Sequence, residues 1–159
     1  GCGGVIAGGW LCDRLYRRGY TNAPLRIGLI GTILWIPFGI AYPLVDNGWV
    51  AWVLMIPAYF FATFPTGVLA AAVQNINPNT MRGTASAVYL LVTNLIGQAI
   101  GPTGVALVTD YGFGDPAKLP YSMLIVGCVC HAIAIFAFWY GLKPFSGSVE
   151  RAQAYHAAN

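Results

Sequence analysis

The chain has 159 residues, of which only 8% are charged, 57% are hydrophobic and 14% aromatic, with a net charge of +3 and a mean hydropathy of +0.65. A water-soluble domain carries about 25% charged residues, so this composition excludes an ordinary soluble domain. The eight basic side chains are scattered and form no stripe, which excludes a nucleic-acid surface.

Charges are absent from 27–45, 47–81, 83–109 and 119–142. Each stretch approaches or exceeds the roughly 20 residues that cross a hydrocarbon core. The expected fold is an all-α membrane protein, a polytopic bundle made of the end of one transmembrane helix plus four complete ones. Residues 1–11 form a small-residue run too short to span, so the chain reads as opening inside a helix. A basic loop follows at 12–23, and Pro24 suits a first helical turn, where its missing N–H costs little. Spans are expected at 24–42, 49–73, 84–108 and 121–142, with Trp49 and Trp52 as interfacial anchors. The connections are 43–48, the Asn- and Pro-rich turn 74–82, and 109–120 with its Gly, Asp and Pro breakers. The bundle thus occupies 1–142 and a polar tail 143–159.

Counting sides alternately, Arg14, Arg17, Arg18, Arg26, Arg82, Lys143 and Arg151 fall on one side and Lys118 on the other. An excess of Lys and Arg marks the cytoplasmic face. The expectation is an integral protein of an inner or plasma membrane with a cytoplasmic C-terminus.

The first loop reads Gly9-Trp10-Leu11-Cys12-Asp13-Arg14-Leu15-Tyr16-Arg17-Arg18. It resembles the Gly-x-Leu-x-Asp-Arg-x-Gly-Arg-Lys/Arg signature of the major facilitator superfamily, with Tyr16 where the pattern has glycine. Arg82-Gly83-Thr84-Ala85-Ser86-Ala87, Asn94-Leu95-Ile96-Gly97-Gln98-Ala99-Ile100-Gly101-Pro102 and Asp110 resemble the eleventh helix of spinster-like transporters within it. The resemblance implies twelve helices in two halves around a central cavity, with this chain as most of the C-terminal half. It also implies a missing N-terminal half as partner. In that reading Gly9, Asp13, Arg14, Arg17, Arg18 and Arg82 form a cytoplasmic switch. Asp13 meets a helix N-terminus or an arginine of the other half, since the positive end of a helix favours a carboxylate. The arginines read equally as topology signals.

Gly83, Ala87, Gly97, Gly101 and Gly104 make a small-residue stripe. Membrane helices join on such surfaces, so this segment is expected to pack against another helix. Pro102 after Gly97 and Gly101 permits a bend. Asn94 and Gln98, one turn apart, need either an interhelical bond or a wet cavity. Tyr59, Thr63 and Thr66 share a face flanked by Phe60, Phe64, Pro57 and Pro65. The threonines either satisfy carbonyls freed by proline or belong to a broken helix facing solute. An aromatic, uncharged wall suits a small organic or lipid-like solute. His131 lies mid-span with no carboxylate at its depth, so a coupling proton would need a carboxylate in helices outside this chain.

Cys2, Cys12, Cys128 and Cys130 make neither a zinc spacing nor a disulfide framework. No metal, cofactor or catalytic residue is expected, because no nucleophile, base and ligand set converges. A secondary transporter working by alternating access is the leading expectation, with membrane lipid and its solute as partners. The alternatives are a non-transporting membrane receptor or assembly subunit and, behind them, a membrane-embedded enzyme.

Overall fold

The structure is a computed structural model that describes residues 1–78 and 80–158, with side chains described to residue 151. Asn79 of the polar turn and the side chains of 152–159 in the tail, His156 among them, lie outside the described residues. The described chain is helical: α1 Cys2–Arg17, α2 Ala23–Ala41, α3 Gly48–Thr63, α4 Thr66–Asn75, α5 Arg82–Asn94, α6 Gly101–Leu107 and α7 Leu119–Ala158. Four helical stretches are long and apolar enough to cross a membrane: Ala23–Leu44, Gly48–Asn75, Arg82–Phe113 and Pro116–Arg151. Their number and order agree with the four spans expected.

The basic loop is shorter than expected, because α1 runs on to Arg17. It ends where Gly19 takes φ 86, with the Gly19 N–H donating to Tyr16 O at 2.9 Å and the Tyr20 N–H to Leu15 O at 3.2 Å. That pair of bonds is a Schellman ending, which needs a left-handed residue after the cap. The turn glycine is therefore Gly19, while Tyr16 is an ordinary helical residue. Pro24 falls in the first turn of α2, as expected. Asn47 caps α3, its side-chain oxygen accepting from the Trp49 N–H at 3.0 Å.

The 49–73 span is not continuous. Pro65 has no N–H for the Phe61 carbonyl, and the Phe64 N–H takes that carbonyl instead at 3.3 Å. The helix tightens and restarts as α4. In the next span Pro102 cannot bond the Gln98 carbonyl, and the chain before it widens into π turns over Leu95–Ile100. A second π segment, Val108–Phe113, carries helical structure into the expected 109–120 loop, where Gly114 at φ 63 stops it. The tail continues α7 rather than leaving it, with Pro144 inside the helix.

The core sits where α1, α2, α3 and α4 meet. Cys12, Ala23, Ile27, Phe64 and Val68 are buried there, with Ala7, Leu11, Leu15, Ile30 and Phe60 packed around them. The close approach is made by glycines of α1. A Cβ at Gly4 or Gly8 would overlap the carbonyl oxygens of Phe60 and Phe64. α7 packs on α2, where the Phe138 ring fills the space beside Gly28.

The small-residue stripe of 83–104 is packed only at its ends among the described residues. Nothing stands within 4 Å of a Cβ added at Gly83, Gly97 or Gly101, and all of residues 91–100 are exposed. Of the stripe's four glycines, only Gly104 has a neighbour among the described residues, Val126 of α7, at 3.8 Å. The segment meets α4 at its start and α7 at α6, and its middle has no helix beside it among the described residues.

Candidate functional site

Two regions gather the polar side chains. The first is a cleft of about 350 Å³ between the basic end of α1, the start of α2 and α4. Gly9, Cys12, Asp13 and Tyr16 come from α1, and Gly67, Ala71 and Asn75 from α4. Residues 67, 71 and 75 are one helical turn apart, so they present one face of small residues ending in an amide. That ladder, the spacing of Gly67, Ala71 and Asn75, was the available signal for the α4 wall, and sequence reasoning passed over it.

Burial pushes the Cys12 thiol up to about 11, with the Asp13 carboxylate adding to it. The Tyr16 phenol is raised for the same first reason, then by Cys12 and Asp13. Both groups are therefore neutral near pH 7, and Asp13 is the anion of the cleft. Its chemistry is that of an acceptor: it can take a cation or a set of N–H donors, and the small-residue walls admit a bulky partner.

The arginines of the expected switch, and Arg26 beside them, show no pairing with Asp13 among the described residues. Arg14 lies over the Trp10 ring at 5.4 Å, and Arg17 and Arg18 are exposed. Arg26 lies over Tyr20 at 4.2 Å, with its Nε donating to the Asn22 side-chain oxygen at 2.8 Å. Arg82 Nε donates to the Asn77 carbonyl at 3.4 Å. These partners are rings, an amide and a carbonyl, so the guanidinium groups restrain the loops rather than pair with Asp13.

The second region follows the irregular helices. Asn94 donates to the Leu90 carbonyl at 2.8 Å, and Gln98 donates to the Asn94 side-chain oxygen at 2.7 Å. The two amides form a ladder along their own exposed helix, at the entrance to the Leu95–Ile100 π segment. Thr63 lies 3.0 Å from the Gly1 carbonyl and 3.1 Å from those of Tyr59 and Phe60, with one proton to donate among them. Thr66 donates to the Thr63 carbonyl at 2.8 Å. The threonine hydroxyls thus serve the backbone around the Pro65 break.

Among the expected cavity residues Phe64 is buried in the core and Phe60 packs against it, so both hold α1 rather than line a cavity. Tyr59 is 58% exposed, and Thr66 is also exposed. α3 and α5 do not pack on one another, so the Tyr59 and Asn94 groups stay separate. No group of three or more metal-ligating side chains occurs among the described residues. Comparison of the chain with family models, with curated proteins and with solved structures gave no match.

Proposed function

We propose that this chain is part of an integral membrane secondary transporter, equivalent to most of the C-terminal half of a major facilitator protein and similar to the spinster-like group. It moves a small organic or lipid-like solute by alternating access. The observation that carries the reading is the Arg82–Phe113 span, long and apolar enough to cross a membrane, yet with no buried residue over its apolar 18-residue stretch. An exposed amide ladder and two π segments on such a span would be costly against lipid. They suit a wall that faces water and solute, with a missing N-terminal half opposite. The break at Pro65 supports the same reading, since discontinuous helices are how transporters build midplane sites.

The cytoplasmic cleft supports a switch. Asp13 lines it among small residues, and in this reading it receives a donor-rich helix end from the other half. Making and breaking that contact would bias the side to which the cavity opens.

The test is a thermal-shift panel on the intact protein with amphipathic lipids, sugars and organic acids, repeated with Asn94→Ala and Tyr59→Ala. One class should raise Tm, and both variants should lose that shift while keeping the ligand-free Tm. Variants that bind normally but melt early would make these residues packing elements and overturn the cavity.

A further inference from the structure

A second cavity, of about 250 Å³, lies away from the cleft and the amide ladder, between α2, α6 and α7. Its wall includes Trp35 and Gly39 of α2, Gly101 and Val105 of α6, and Gly127 and His131 of α7. Each helix supplies a glycine: a Cβ on Gly39 would overlap the Trp35 ring, so Gly39 makes room for the indole, while Gly101 and Gly127 leave their side-chain space open. All three helices belong to stretches long and apolar enough to cross a membrane.

One polar group on this wall is held in a defined orientation. The His131 ring lies flat on the Trp35 indole, with centroids 3.6 Å apart and planes 9° apart. Its Nδ1 is 2.9 Å from the Gly127 carbonyl, and a carbonyl only accepts, so Nδ1 carries the hydrogen. In the neutral ring Nε2 is then a bare acceptor, and it has no hydrogen-bond partner among the described residues. The other residues of the wall that carry a hydrogen-bonding group are Trp35, through its indole N–H, Tyr42, and the thiols Cys128 and Cys130.

A trapped water needs two to four polar partners, and apolar cavities stay dry and take apolar molecules. The volume falls short of the roughly 300–1,000 Å³ that engulfs a whole drug-sized ligand, so the occupant inserts one end and leaves the rest outside. A molecule with a hydrocarbon body and a single donor matches both the wall and the acceptor. We propose that this cavity seats the hydroxyl end of a neutral membrane lipid, its O–H donating to His131 Nε2 and its first carbons packed against Trp35, Gly101 and Gly127. An ester or ether lipid, which only accepts, leaves Nε2 unpaired and is disfavoured.

The experiment uses the intact protein in nanodiscs with two photoreactive probes, a diazirine-bearing hexadecanol and its O-methyl ether. The alcohol should label α2 and α7 around Trp35 and Gly127, and the ether about ten-fold less, the worth of one hydrogen bond. His131→Phe keeps a flat ring against Trp35 and should bring alcohol labelling down to the ether level. Gly101→Leu should abolish labelling by both. Equal labelling of the unmodified protein by the two probes, labelling confined to other helices, or undiminished alcohol labelling of His131→Phe overturns the proposal. The comparison of probes needs no variant, so it stands even if a substitution impairs folding.

Discussion

The carbonyl oxygen of Phe64 occupies the space that a Cβ on Gly8 would need. α1 therefore touches the Gly48–Asn75 span backbone to backbone at the very turn where Pro65 breaks it. Gly8→Ala must push these helices apart, and a loss of about 1–3 kcal/mol is expected, as for other overpacked contacts. Gly9→Ala is the control, since nothing stands within 4 Å of its added Cβ. Thermal unfolding in nanodiscs reads both; equal Tm values for the two variants would refute the contact.

The end of α1 depends on Gly19, not on position 16. Gly19 holds φ 86, so Gly19→Ala should cost about 1 kcal/mol through strain. Tyr16→Gly, which restores the glycine of the transporter signature, should also destabilise by roughly 1 kcal/mol, because it places glycine inside a helix. A gain in Tm for Tyr16→Gly would move the turn back to the signature position.

Cys12 should be a slow thiol in the folded protein. Its pKa rises from 9.0 to about 11 on burial, and the thiolate is the form that reacts. At pH 8 alkylation should run about a hundred-fold slower in the native protein than in denaturant, from that shift alone. The raised value means that folding favours the neutral thiol. This contribution to stability is complete below pH 9.0 and is lost as pH climbs through about 11. Mass spectrometry of modified Cys12 measures the rates, and equal rates in the two states would show an open site.

Pro102 holds the π turns open. Pro102→Ala returns an N–H that can bond the Gln98 carbonyl, so the Leu95–Ile100 segment should close to α-helical pitch. Amide exchange across 95–103 should slow by about ten-fold, the worth of one added bond. Under the proposed function, solute transport should slow with it. Unchanged exchange would mean that the wide turns do not depend on proline.

The sequence by itself determined the count and order of the long helices, because an uncharged run of sufficient length is a property of neighbouring residues. It marked prolines where regular winding can fail but not which of them break it: the helix stops at Pro65 and widens before Pro102, yet α3 runs on through Pro57. Which glycines are contacts could not be read this way: Gly4 and Gly8 lie against a second backbone while Gly97 and Gly101 lie against nothing, though both pairs have the same spacing. Close approach is a relation between two helices, and only the tertiary structure supplies the second. For the same reason it alone decided that Phe60 and Phe64 pack α1, that Asp13 and Asn75 line one cleft, and that His131 lies flat on Trp35.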